Sequence, residues 1–311
     1  MTVDDIARII LDGEVAAFPT ETVYGLGALA TDVRAVEKIF DLKGRPADNP
    51  MIVHICEPGQ AKNFAAKVPK AAALLMKSCW PGPLTLIFKK LTAVPDIVTG
   101  GLDTVAIRIP DHPLALELIR KTGPLVAPSA NRSGKPSPTR AEHVMEDLGQ
   151  NFPVLDGGRT DIGLESTVLD VTSKPFTILR PGKFEPEELS KICGVPVVYA
   201  SHTGKDTPRS PGIKYTHYKP EAKVSWLSQF QNRDNKPVIL ITHSASPPSL
   251  PGNPVIYHFD QNYNQFAKSL YDIFRMADKD KIARIVIEDL PEKSDQPLLA
   301  ALKNRIEKST G

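Results

Sequence analysis

Residues 15–55, VAAFPTETVYGLGALATDVRAVEKIFDLKGRPADNPMIVHI, decide the fold class. Val15–Phe18 is a short apolar run suited to a buried strand, and Pro19–Gly27 is a polar loop ending in two glycines. Val33–Leu42 then reads as an amphipathic helix and Met51–Ile55 as a second strand. Upstream, Val3, Ile6, Ile9 and Ile10 fall at helical spacing, with Asp4 and Asp5 in the first turn and Gly13 as the stop. Downstream the alternation continues. Helices are predicted over 71–77, 114–121 and 140–148, and strands over 84–88, 105–109, 125–127, 168–171 and 177–179. This pattern predicts an α/β domain around one twisted, mixed sheet.

A chain of 311 residues exceeds one typical domain. The expected division is a catalytic domain over 1–200, a linker over 201–222 and a small Rossmann-like α/β domain over 223–311. The linker is almost free of aliphatic residues. It carries prolines, basic residues, tyrosines and histidines, which suits either a plain connector or a segment that also closes over a site. Beyond it, strands are predicted over 223–227, 238–242, 255–259 and 282–287, with helices over 266–276 and 298–306. No glycine-rich turn marks that part as a cofactor site.

The net charge of +2 divides into −2 over residues 1–200 (22 basic, 24 acidic) and +4 over the remainder (16 basic, 12 acidic). Bulk nucleic-acid binders carry a clustered excess of Lys and Arg, so any cationic site here must be local. Cys56, Cys79 and Cys193 are too far apart in sequence for a CxxC pair, which disfavours a disulfide framework or structural zinc. No apolar run is long enough to span a bilayer, and the first residues are acidic rather than leader-like. A cytoplasmic protein is expected.

The polar motifs gather at strand ends. Pro19–Gly27 packs hydroxyls, a carboxylate and a phenol past a strand's carboxyl end, where open α/β sheets place ligands, although a structural turn is the alternative. Gly25-x-Gly27-x-x-Ala30 imitates a dinucleotide fingerprint, but six residues separate it from the strand and the helix begins only near Asp32. Lys43 and Arg45 flank a glycine just past a helix end. Complementing the helix dipole explains one of them, whereas the pair, fixed by Pro46 and followed by Asn49, has the pattern of a phosphate clamp. His54 lies in an apolar strand and is either a core histidine bonded to a carbonyl or a site residue. Arg108 falls on the strand face opposite Val105 and Ile107, so it needs a partner, either a protein carboxylate or that of a substrate. Ala127–Thr139 offers small hydroxyls and amides to phosphate or ribose oxygens, and Glu165-Ser166-Thr167 and Leu179-Arg180-Pro181-Gly182 add a hydroxyl and an arginine. There is no Walker A loop, no His/Cys metal set and no recognisable Ser-His-Asp order.

In that order, PTETVYGLG, KGRPADNPMIVHI, WPGPLTLIF, TVAIRIPDHP, APSANRSGKPSPT, ESTVLD and ILRPG resemble the YrdC family of threonylcarbamoyl-AMP synthases. SPGIKYTHYKP and the α/β tail are similar to the family's longer, two-domain form. The resemblance implies a twisted mixed sheet like that of double-stranded-RNA-binding folds. It also implies a nucleotidyltransferase reaction: L-threonine, bicarbonate or CO2, and ATP, with Mg2+ on its phosphates, give threonylcarbamoyl-AMP, pyrophosphate and water. A separate tRNA threonylcarbamoyl transferase complex then uses the product for t6A at tRNA position 37. Carried over, the resemblance puts threonine at Thr22, His54, Arg108 and Ser166. It puts the nucleotide at Arg45, Asn49, Thr104, Ser129, Asn131, Ser137, Arg180 and Tyr218, with Lys43 and Arg45 as the catalytic cations and no metal held by the protein. Two alternatives are an RNA-binding module, disfavoured by the slightly acidic first domain, and a carbamoyltransferase of hydrogenase maturation, for which the chain lacks the length and the cysteines.

Overall fold

Thr2 starts α1 (Val3–Leu11): its hydroxyl accepts from the Asp5 amide while the Asp5 carboxylate takes the Thr2 amide. β1 (Ala16–Phe18) returns as β2 (Gly25–Leu29), antiparallel, with Phe18 opposite Gly25. A Cβ on Gly27 would stand 2.8 Å from the Phe18 ring, so glycine is what lets the two strands close. The loop expected over 19–27 therefore ends inside a strand. α2 (Val33–Lys43) is capped by Asp32 at its start and by left-handed Gly44 (φ 59°) at its end. Then follow β3 (Ile52–His54), α3 (Lys70–Cys79), β4 (Leu84–Lys89), α4 (Asp96–Thr99), β5 (Thr104–Arg108), α5 (Pro113–Thr122), β6 (Leu125–Val126) and α6 (Ala141–Leu148). β7 (Thr167–Asp170), β8 (Phe176–Arg180), α7 (Pro186–Cys193) and β9 (Val197–Tyr199) complete this part. The computed structural model describes residues 1–200, 218–231, 236–248, 250, 253–292 and 296–310.

The first nine strands form one mixed sheet in the order β1-β2-β6-β3-β5-β4-β7-β8-β9. β3–β5, β4–β7 and β8–β9 are parallel and the other pairs antiparallel. On one face Val53, Val105, Ile107, Leu86, Leu169 and Ile178 join the main core with α2 and α3. The other face carries a small apolar cluster, Ile52, Ile87, Ala106 and Val168, beside a further core in which Phe18 and Leu125 pack with α1 and α5, and this is the face to which strand alternation turns His54 and Arg108. Arg180 reaches the same face through a bulge. Val168 pairs with Arg180 but Leu169 with Ile178, so Leu179 is an extra residue that re-aims Arg180 away from the main core.

The second part runs β10 (Lys223–Trp226), β11 (Val238–Thr242), β12 (Val255–His258), α8 (Tyr263–Lys279), β13 (Arg284–Ile287) and α9 (Leu299–Thr310). Its four strands are all parallel, in the order β10-β13-β11-β12, as the Rossmann-like expectation requires. Its core takes in Val23 and Leu164 from the first part, and the Cβ position of Gly163 lies 2.6 Å from the Lys268 backbone. The two parts are thus packed backbone to backbone. Of the expected linker, residues 201–217 lie outside the described residues, while Tyr218 is buried and seated in the second core.

Candidate active site

One cavity opens on the polar sheet face. It is walled by the β1–β2 loop (Thr20, Thr22, Val23, Tyr24), by β3 with its approach (Pro50, Ile52, His54), and by Arg45, Arg108 and Arg180. Ser129, Asn131, Lys135 and Ser137 from the β6–α6 segment close one side, and Glu165, Ser166 and Tyr218 another.

The arginines are fixed by carbonyls and hydroxyls. Arg45 donates from Nε to the Asn49 carbonyl at 3.2 Å and from Nη2 to the Pro50 carbonyl at 2.8 Å, which leaves Nη1 for the cavity. Its burial, helped by the Arg180 charge, pulls the guanidinium down to about 10, so it is still a cation at neutral pH. Arg108 donates to Gly82 O at 3.2 Å and to Thr22 Oγ1 at 2.9 Å, and its Nη2 lies 2.6 Å from Glu21 Oε1 in an ion pair with both side chains buried. The partner Arg108 needs is therefore supplied within the protein, and its guanidinium is aimed by it. Arg180 donates to Ser166 O at 3.1 Å and to Ser166 Oγ at 3.0 Å, and that hydroxyl also meets Thr85 Oγ1 at 2.8 Å.

His54 Nδ1 lies 3.1 Å from Ile52 O, which fixes the tautomer with Nδ1–H donating and Nε2 an acceptor. Burial, with the Arg108 charge, holds the ring down to about 3, so it is neutral under physiological conditions. Its other contact is edge-to-face with Phe18, centroids 6.1 Å apart. His54 is thus a buried histidine bonded to a carbonyl that also lines the cavity.

Ser137 Oγ donates to Glu165 Oε1 at 2.6 Å. Asn131 Nδ2 donates to the carbonyls of Arg132 (2.8 Å) and Lys135 (2.9 Å), while its buried Oδ1 has no partner among the described residues. An orphaned buried acceptor facing a cavity is a place for a ligand donor.

Ten of the thirteen expected site residues thus meet around one cavity, and three do not line it. Lys43 is buried beneath the wall, where its ammonium donates to the carbonyls of Ser129 (2.6 Å) and Asn131 (2.5 Å). Burial and the Arg45 charge drive its pKa well below the usual value. Its ammonium is occupied by these two carbonyls, because a cation at a helix end can be claimed by carbonyls folded over it. Asn49 is buried and meets Arg45 through its backbone carbonyl. Thr104 sits at the start of β5, beside Lys89, at the opposite end of the strand from Arg108. Reasoning from sequence passed over Lys135, the only described lysine in the lining, and Glu165, although both stand in motifs already singled out for their hydroxyls and amides.

Residues 8–182 match the family described as telomere recombination, and residues 184–311 match the threonylcarbamoyl-AMP synthase C-terminal domain. Along its length the chain is 41% identical to the threonylcarbamoyl-AMP synthase of Pyrococcus abyssi, over 98% of this chain and 93% of the relative. The chain belongs to the threonylcarbamoyl-AMP synthase family. The family's Bacillus subtilis member is 42% identical over 98% of this chain and 92% of its own. The crystal structure of the family's P. abyssi protein complexed with L-threonine superposes with a TM-score of 0.89 at 41% identity, covering 99% of this chain and 94% of that one. The family's two-domain architecture is therefore shared along the whole chain.

Proposed function

We propose that the protein is an L-threonylcarbamoyladenylate synthase. It joins L-threonine, CO2 or bicarbonate, and ATP into threonylcarbamoyl-AMP with release of pyrophosphate, and hands the product to the transferase complex that makes t6A in tRNA. The observation that carries this reading is the meeting of Arg45, Arg108 and Arg180, from separate segments, on one cavity beside a neutral histidine. The relative solved with L-threonine supports the amino-acid half of the assignment.

The chemistry is a meeting of anions. The threonine amine adds to CO2 to give a carbamate and a proton, and a carbamate oxygen attacks the α-phosphorus as the bond to pyrophosphate breaks. Barriers of this kind fall through alignment and charge neutralisation rather than covalent catalysis. Thr22, His54, Arg108 and Ser166 form the threonine side. The unprotonated Nε2 of His54 suits an amine N–H, and Arg108, steadied by Glu21, suits a carboxylate. Arg45, Ser129, Asn131, Ser137, Arg180 and Tyr218 form the nucleotide side. Lys43 serves that side indirectly by holding the carbonyls of Ser129 and Asn131, and Asn49 by holding Arg45. Thr104 has no part in the cavity described.

Magnesium would not find a seat of protein ligands here. Among the described residues no cluster of three His, Cys, Asp or Glu side chains forms one, and Glu165, the single carboxylate lining the cavity, is engaged by Ser137. Any Mg2+ comes with ATP. No helix among the described residues is long and apolar enough to cross a membrane. We place the enzyme in the cytoplasm, a reading the three unbridged cysteines support, with any tRNA contact weak. The test is pyrophosphate release from ATP with threonine and bicarbonate each present or omitted. Release only when all three are present is expected, and release that ignores threonine would overturn the proposal.

A further inference from the structure

An anion-binding cavity that carries a carboxylate in its own wall has an electrostatic difficulty. Glu165 is buried in the lining, and a triphosphate brought to Arg45 and Arg180 must approach it. The counter-charge comes from the far end of the chain. Arg305, on α9, is fully buried and donates from Nε to Glu165 Oε2 at 2.7 Å, across 140 positions of sequence. Tyr271, on α8, adds its hydroxyl to the same carboxylate at 3.2 and 3.3 Å. Arg305 also lies over the Tyr218 ring, 5.4 Å from its centroid, and Tyr218 stacks on Tyr271 at 5.5 Å. One more turn along α9, Lys308 senses the same cluster: burial first, then the Arg305 and Arg180 charges, pull its ammonium down to about 8.

The arrangement is costly unless it does something. Arg305 stands among Leu302, Ile306 and Ala301 on the buried face of α9, where an aliphatic residue would suit the core. Glu165 is held ionised: against burial, which would raise it, the Arg305 and Arg180 charges and the Ser137 hydroxyl bring its carboxyl down to about 2. After Arg305, the cation whose charge acts most on that carboxylate is Arg180, a cavity arginine. Without Arg305, Glu165 would neutralise one of the groups meant for the substrate.

We propose that Arg305 is a positioning residue of the second domain that takes up the Glu165 charge, so that Arg180 stays free for the triphosphate and Ser137 stays aimed at the nucleotide. This rests on the ATP assignment of the proposed function, and gives the C-terminal domain a direct role in nucleotide affinity. The chemical group it serves is a polyphosphate, and threonine should be indifferent to it.

The experiment is equilibrium binding of ATP by the full chain, with thermal unfolding recorded on each variant. Arg305→Gln is expected to weaken ATP binding about tenfold or more, the order expected when one unit of charge a few ångströms away is lost, while threonine KM moves little. Arg305→Lys, which keeps the charge, should retain most of the affinity. Glu165→Gln should bind ATP at least as tightly as the unmodified protein, and the double variant Glu165→Gln/Arg305→Gln should recover most of what Arg305→Gln loses. The inference is overturned if folded Arg305→Gln binds ATP normally, or if the double variant binds no better than Arg305→Gln. Should Arg305→Gln fail to fold, weaker ATP binding by Glu165→Gln would overturn it alone. If the unmodified protein binds no ATP, the proposed function fails instead.

Discussion

Replacing Arg108 by Ala separates fold from chemistry more sharply than any other change at this site. The guanidinium holds Thr22 at 2.9 Å and Gly82 O at 3.2 Å, and it is the counter-ion of Glu21, a side chain only 6% exposed. Removing it strands a buried carboxylate, which costs about 3–5 kcal/mol of stability, or a fall in Tm on the order of 10 °C for a domain of this size. Loss of the cation from the threonine side adds about 2–4 kcal/mol to the barrier, about 30- to 1,000-fold in rate. Arg108→Met combined with Glu21→Gln removes the stranded charge, so it should regain most of the lost Tm without regaining activity. Calorimetry and pyrophosphate release measured on the same preparations read the two effects independently. A double variant that turns over at the unmodified rate would refute the assignment of Arg108 to substrate, and an unchanged Tm in Arg108→Ala would refute the energetics of the pair.

Three further outcomes are expected. His54 is held near 3 against an ordinary value near 6.5, so between those limits the unfolded chain binds more protons than the folded one; stability then falls as pH drops through that window. His54→Asn should flatten that part of the stability profile, and the imidazole NMR signals of His54 in the intact protein should stay those of a neutral ring down to about pH 4. Lys43→Met should lower ATP affinity by about tenfold through disorder of the segment bearing Ser129 and Asn131, a positioning effect, and direct loss of all turnover would instead make it a phosphate ligand. Gly27→Ala should cost about 1–3 kcal/mol, because its methyl would press on the Phe18 ring 2.8 Å away; a normal Tm would show that the ring can move aside.

The helices and most strands were legible because their periodicity is strong and their ends are marked. Asp32 and Gly44 bracket α2, and Thr2 and Asp5 close the start of α1. Gly25–Leu29 hid because glycine has low strand propensity, and only the Phe18 ring across the pair explains its presence. Strand parity placed Arg108 correctly on the face opposite Val105 and Ile107. The same parity misleads for Arg180, which shares its parity with Phe176 and Ile178, because no sequence rule announces the bulge at Leu179. Lys43 and Arg45 look alike as two cations beside a glycine, yet carbonyls across 86 and 88 positions of chain claim one and leave the other facing the cavity. The pairing of Arg305 with Glu165 is equally long-range. The signal available for it was a lone arginine at a core position of an apolar helix face, between Leu302 and Ile306.

The central claim is that arginines from separate segments quiet the repulsion between a carbamate and a triphosphate. Its most direct measurement is the rate of pyrophosphate release by Arg180→Ala with threonine, bicarbonate and ATP all saturating. A folded variant slowed by about 30- to 1,000-fold is predicted, and one that works at the rate of the unmodified enzyme would contradict the account.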